Sequence, residues 1–372
     1  MAVRKKIPAV KAAPTRAKEI VGTPMTVAEQ RAFEALPALE PERPTLSAEE
    51  RASVAEAVAV TNALVFNALL HRFDPVAYPV NANASAAERE LVKELKGLSQ
   101  ATFSKLMPGI ARLNTDAARR KKFLGKLAAV DFHKGDVSRQ ITRVGGLKRV
   151  SLGTMQRVVR PTLPRVVKKS AGTAPQGPVY SEMQLLLRAV HCKVETSGGG
   201  SDEMVMGGML IDPAGTVVPF KGFLLGDFDT GDPVRGYGEH LLARAPLASK
   251  VTYPRTFFGI FLLVESDGDD RELAREMTKA AGTIANIVVS AFLTPAAGMA
   301  VEAVIGAIGA FFQLFLGDDH FPLWSSRLVQ DGPTRFRHHG VTWDGADSPN
   351  LRTSNITGHG GAYVVGFKWS MV

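Results

Sequence analysis

Residues 280–316 read AAGTIANIVVSAFLTPAAGMAVEAVIGAIGAFFQLFL, and between Lys279 and Asp318 the only ionisable side chain is Glu302. This stretch constrains the fold most. So much apolar surface must be covered by the chain's own core, by a partner or by a bilayer. Thr294-Pro295 and Gly298 interrupt the run and predict two apolar helices joined by a tight turn. A bilayer span needs about 20 apolar residues. The arms 280–293 and 300–316 have 14 and 17 residues, and in lipid Glu302 would need a partner or a proton. The sequence therefore disfavours a permanent two-pass anchor. It leaves a hairpin buried against the rest of the protein, or one that starts buried and later docks on or enters a membrane.

The flanks of this run decide its setting. From 179 onward the chain alternates strand-like runs with turn signals. Candidate strands are 184–194, 203–211, 216–225 and 257–264 before the apolar run, and 323–328, 335–339 and 362–369 after it. Gly198-Gly199-Gly200, Asp212-Pro213 and Gly360-Gly361 punctuate them. Short strands spaced in this way predict an antiparallel sandwich or barrel. The expected architecture is α+β: a helical N-terminal region followed by an antiparallel β-sandwich with an inserted apolar helical hairpin at about 270–316.

The N-terminal half reads differently. Residues 1–24 are basic and proline-bearing, without apolar periodicity, and are expected to form a disordered tail. Residues 25–130 predict a helical domain. Thr26 suits a helix cap, and Ser47 with Glu50 and Ser85 with Glu88 form capping-box patterns. Val54, Val58, Leu64, Val65 and Leu69 hold helical spacing among many alanines, so the helix after Ser47 should be packed on several sides. Residues 131–178, rich in Gly, Pro and Arg-Val runs, predict a basic extended linker.

Charge divides the chain. Residues 1–170 carry 30 Lys and Arg against 15 Asp and Glu, leaving 15 against 21 for the remainder. That asymmetry predicts units with different partners, an acidic protein or nucleic acid being candidates for the basic half. Arg119, Arg120, Lys121, Lys122 and Lys126 cluster on one predicted helix. A single cysteine, Cys192, excludes an intrachain disulfide. The basic N-terminus leads into no apolar core, so no Sec signal is expected. The protein would be cytoplasmic or exported by a signal-independent route.

In the β-region the acids gather in loops. Asp202 and Glu203 form one group, Asp227, Asp229 and Asp232 a second, Glu265, Asp267 and Asp269 a third, and Asp318 and Asp319 a fourth. Hard cations take six to eight oxygens, which such loops supply, so calcium is the candidate ion. Glu265, Asp267, Asp269 and Glu276 resemble positions 1, 3, 5 and 12 of an EF-hand loop, but Asp270 stands where that loop requires Gly and a strand precedes it. A site assembled from several loops fits these residues better. No nucleophile elbow, phosphate-binding loop, dinucleotide fingerprint, H-E-x-x-H or C-x-x-C occurs. No catalytic residue is nominated, although the acidic loops could in principle hold metals for a hydrolase.

Gly306, Ala307, Gly309 and Ala310 let helices pack closely. In this Ala/Gly-rich character the hairpin resembles the central hydrophobic hairpin of colicin-type pore-forming domains. The resemblance covers the hairpin alone and implies conditional membrane insertion. The resulting expectation is a non-catalytic bacterial protein, a delivered effector or pore-forming toxin, with a calcium-binding sandwich and a membrane-active hairpin. The alternatives are a scaffold whose basic half grips an acidic partner or nucleic acid, and a metal-dependent hydrolase.

Overall fold

The computed structural model describes residues 22–144, 180–197, 201–220, 222–247, 253–265, 271–290, 297–316, 321–338 and 340–372. The fold mixes helix and sheet, and a helical region precedes two antiparallel-rich sheets. Helix α1 (Val27–Glu34) opens with a reciprocal capping box between Thr26 and Glu29, and α2 (Ala48–Phe73) with one between Ser47 and Glu50. Helix α3 (Ala86–Lys96) is capped by Ser85, α4 (Gln100–Thr115) by Ser99 and α5 (Ala117–Leu124) by Asp116. Two 3-10 turns, Gly125–Ala129 and Phe132–Lys134, lead to α6 (Val137–Arg143). The helical region thus runs past 130, where an extended linker was expected. Phe132, Val137 and Ile141 bury themselves against α2 and its neighbours, which outweighs the surrounding turn residues. The remainder of that linker, 145–179, lies outside the described residues.

The first sheet has the order β1-β7-β3-β14-β12-β2, with β13 paired to β14. Its strands are β1 (Thr23–Pro24), β2 (Ala38–Leu39), β3 (Glu182–Val194), β7 (Arg235–Pro246), β12 (Leu351–Thr353), β13 (Ile356–Gly358) and β14 (Gly361–Met371). Strands β1 and β2 come from the N-terminal region. The end of the expected tail therefore pairs with β7, and the segment after α1 runs parallel to β12. The second sheet has the order β11-β10-β9-β8-β4-β5, with β6 paired to β4. It comprises β4 (Asp202–Ile211), β5 (Val217–Pro219), β6 (Phe223–Phe228), β8 (Arg255–Glu265), β9 (Trp324–Gln330), β10 (Arg335–His338) and β11 (Val341–Asp344). The single strand expected over 216–225 is two, and β7 answers to no expected strand.

Side-chain alternation sorts the core. Met204, Met206 and Leu210 of β4, with Phe257, Phe261 and Leu263 of β8, join Leu185, Leu187, Phe367 and Trp369 of the first sheet in one apolar cluster. The intervening residues, Val205, Met209 and Ile211 with Phe258, Ile260, Leu262 and Val264, enter a different cluster on the other face. Burial on both faces explains why 257–264 is continuously apolar instead of alternating.

That second cluster holds the apolar run. Helices α7 (Arg271–Ser290) and α8 (Ala297–Leu316) fall in sequence between the hydrogen-bonded neighbours β8 and β9 and pack against each other. Helix α7 lies on β4 and β5, while α2, α3 and α4 cover the pair from the other side. Ile284, Val288, Val304, Ile308 and Phe311 are fully buried. Gly207 permits the closest approach to the sheet. A Cβ there would stand 2.5 Å from Thr278 Cγ2 and 3.0 Å from its Cβ.

Candidate functional site

The acidic residues do different work at different places. Asp202 starts β4 and is buried. It accepts hydrogen bonds from the Thr196 amide and hydroxyl, both at 2.8 Å, and from the Tyr363 hydroxyl at 2.5 Å. It therefore anchors the end of the core beneath the edge-to-face rings of Phe228, Tyr363 and Phe321. Burial drives the Tyr363 hydroxyl far above its ordinary range, and pushes the neighbouring Cys192 thiol up to about 11. Glu203 and Asp227 are register partners on β4 and β6 and share one face. Glu265 is the partner of Met204, so alternation sends it to the opposite face from Glu203. Asp229 and Asp232 close a turn: the Asp229 amide donates to Asp232 Oδ2 at 3.3 Å and the Asp232 amide to the Asp229 carbonyl at 3.1 Å. Asp232 also pairs with Arg235 at 3.1 Å, whose guanidinium lies 4.4 Å above the Phe228 ring. Asp267, Asp269, Asp318 and Asp319 lie outside the described residues. Among the described residues no three Asp, Glu, His or Cys side chains gather closely enough to hold a metal ion.

Glu276 serves the helical layer. Its carboxylate accepts from the Ser99 amide at 2.8 and 3.0 Å and from the Ser99 hydroxyl at 3.1 Å, and so stands at the positive N-terminus of α4. Lys279, one turn on, pairs with Glu94 of α3 at 2.8 Å. Arg72 completes the junction. It donates to the last carbonyls of α3, Leu95 and Lys96 and then Leu98, at 2.6–2.8 Å, and stacks on Phe103. Glu302 retains one buried carboxylate oxygen, Oε2, with no hydrogen-bond partner among the described residues. By length and composition α2 is the one described helix able to cross a membrane, and 72% of its apolar window is buried. The apolar part of α8, Gly298–Leu314, is shorter than a span.

Positive charge is the feature that packing leaves unexplained. Of the α5 cluster, Arg120 has a structural task among the described residues, donating to the Val130 carbonyl at 2.8 Å and lying over Phe132. Arg119, Lys121, Lys122 and Lys126 are exposed. Residues 1–21 and 145–170 add 13 Lys and Arg with a single acid, Glu19, whereas 22–144 hold 17 against 14.

Two polar assemblies escaped the sequence reading. Ser326 and His338, both buried, meet at 2.5 Å between β9 and β10, a Ser–His pair without solvent access. The other surrounds Glu88. Ser85 Oγ accepts from the Glu88 amide as expected, but no reciprocal capping box forms. The Glu88 carboxylate turns inward, where Asn67 Nδ2 donates at 2.7 Å and Ser138 Oγ donates to the second oxygen. Burial holds its carboxyl above the ordinary range despite these bonds. The S-x-x-E pattern conceals this arrangement, because it spends the acid on the cap.

No protein-family model matches this chain, and no characterised protein or solved structure compared with it gives a match.

Proposed function

We propose that the chain is a non-catalytic binding protein for nucleic acid, built on a β-sandwich whose outer face is covered first by an apolar helical hairpin and then by the N-terminal helices. The observation that supports this reading is the set of exposed cations Arg119, Lys121, Lys122 and Lys126 on α5 and the turn after it, in a chain whose stretches 1–21 and 145–170 are strongly basic. Burial of α7 and α8 on two sides accounts for the apolar run without a bilayer. It does not account for the charge. A phosphate backbone does, because each neutralised phosphate releases condensed counterions. Binding of the full chain to duplex and single-stranded DNA, measured across a salt series, tests the proposal. Affinity should fall linearly on a log–log plot. Replacing these four cations by Ala should flatten the slope by about 0.9 for each duplex phosphate that is no longer neutralised. A salt-independent affinity, or no binding at low salt, overturns it.

A second reading keeps the hairpin membrane-active, as in a delivered effector or toxin, with calcium at the acidic loops. Its support is the polar junction of Glu276 with Ser99 and Lys279 with Glu94, which ties the covering helices to the apolar pair through charged groups. Dye release from anionic vesicles, with and without calcium and at acidic pH, tests it. Absence of release under every condition removes it.

A further inference from the structure

The inward turn of Glu88 lies behind a cavity. About 330 Å³ of space opens between the loop preceding α3 and the start of α6, lined by Asn81, Asn83, Ser85, Asp136, Ser138 and Arg139. Its floor is constructed. Ser85 and Ser138 are nearly buried, their hydroxyl oxygens stand 3.0 Å apart, and Ser138 Oγ accepts from the Ser85 amide at 3.3 Å. The Ser138 hydroxyl has one proton, and giving it to Glu88 leaves its oxygen an acceptor. The Ser85 oxygen, which accepts from the Glu88 amide, has a second lone pair for the cavity. At the rim, Asp136 Oδ1 is engaged by Gln140 Nε2 at 2.8 Å, and Asn81 Oδ1 by the Asn83 amide at 3.0 Å. The side-chain amides of Asn81 and Asn83 supply donors.

We propose that this cavity is a binding site for a small uncharged polyol, a molecule of monosaccharide size. The volume lies at the lower end of the range for small-molecule sites. Charge selects the class. Asp136 opposes an anion and Arg139 opposes a cation, so neither sign is rewarded. Hydroxyls and amides offering donors and acceptors together suit a ligand whose every group does both. A buried acid fixes the orientation of the floor, because Ser138 points its proton at Glu88 while its oxygen faces the Ser85 amide and hydroxyl. The site is independent of the cationic face of α5, and its failure would leave the nucleic-acid reading untouched.

The test is saturation-transfer NMR on the full chain with D-glucose and myo-inositol as probes, and inorganic phosphate and ethylamine in parallel. At least one polyol should bind in the millimolar range, with neither charged probe competing. Asn83→Trp, at an exposed rim position, fills the mouth without touching the floor and should abolish the signal. Ser138→Ala should weaken binding about two- to tenfold, the value of one hydrogen bond. If Ser138→Ala fails to fold, Asn83→Trp alone decides. Absence of transfer to both polyols, transfer unaffected by Asn83→Trp, or competition by phosphate or ethylamine overturns the proposal.

Discussion

The contact between Gly207 and Thr278 gives the most direct check on where the apolar helices sit. Gly207 lies in β4 with Thr278 of α7 directly above it. An added Cβ would meet Cγ2 at 2.5 Å and Oγ1 closer still, well inside ordinary van der Waals separation. Neither atom terminates a long flexible chain, so α7 must shift or Thr278 must leave its rotamer. Overpacking of this kind costs about 1–3 kcal/mol. Loss of glycine from the unfolded chain returns about 0.4–1 kcal/mol. Gly207→Ala should therefore destabilise the protein by roughly 1–2 kcal/mol, the difference of those two effects. Thr278→Ala removes both offending atoms and leaves the two Cβ atoms 3.0 Å apart. In the double variant most of the clash disappears, and a coupling of about 1 kcal/mol or more should appear in a double-mutant cycle. Urea unfolding followed by tryptophan fluorescence measures all four corners. Additive losses, or a neutral Gly207→Ala, would refute this placement of α7 against β4, and with it the case that the apolar run is settled core.

Three further outcomes follow from buried polar groups. Tyr363→Phe removes a donor from buried Asp202 and should cost about 1–3 kcal/mol in urea unfolding; Tyr363→Phe in an Asp202→Asn background should cost less. Glu88 has a folded pKa raised by burial, so it binds its proton more tightly folded than unfolded. Its stabilising effect is complete below the ordinary glutamate value of 4.5 and is lost as pH rises from there through the folded value; thermal melts of wild type and Glu88→Gln should diverge in the variant's favour as pH rises across that window, and parallel curves would contradict it. The Cys192 thiol, buried and pushed up to about 11, should react with a thiol reagent in native buffer only as fast as the fold opens, and rapidly in denaturant.

Features set by neighbours in sequence were legible in advance. The Ser47–Glu50 box depends on residues three apart, and the burial of α2 on several sides, complete from Val60 to Leu70, follows from its alanine and leucine content. The strands β3, β4, β8, β9 and β14 carry enough apolar and β-branched residues to declare themselves. Strand β7 does not. Gly236, Gly238, Glu239 and His240 look like a loop, and extended pairing with β3, remote in sequence, makes them a strand. The covering of α7 and α8 by α2–α4 is equally non-local. The acidic residues show the same limit at the level of the site. Loops were expected for all of them, but Asp202, Glu203, Asp227 and Glu265 belong to strands, where pairing with remote neighbours draws them in, and whether they converge depends on register parity. Glu203 and Glu265 lie on adjacent strands and still face opposite ways. Glu88 was legible as a residue and not as a role, because its carboxylate has two partners, Asn67 and Ser138, far away in sequence.

The two functional readings make opposite demands on one junction, and this separates them. If the hairpin is released to a membrane, the bonds from Glu276 to Ser99 and from Lys279 to Glu94 oppose release, and weakening them must promote it. If the hairpin is permanent core, the same bonds only add stability. The Lys279–Glu94 pair has an exposed ammonium and contributes at most about 1 kcal/mol. The Glu276 bonds reach a helix N-terminus and contribute about 1.5–3 kcal/mol for a charged acceptor. Glu276→Gln combined with Lys279→Met should therefore lower stability by a few kcal/mol under either reading. The readings divide on function. Membrane action requires faster dye release from anionic vesicles by the double variant. The nucleic-acid reading requires a DNA salt slope equal to wild type, because neither residue belongs to the α5 face. A variant that loses stability, releases no dye and keeps its salt slope assigns the apolar helices to the core and the function to the charge.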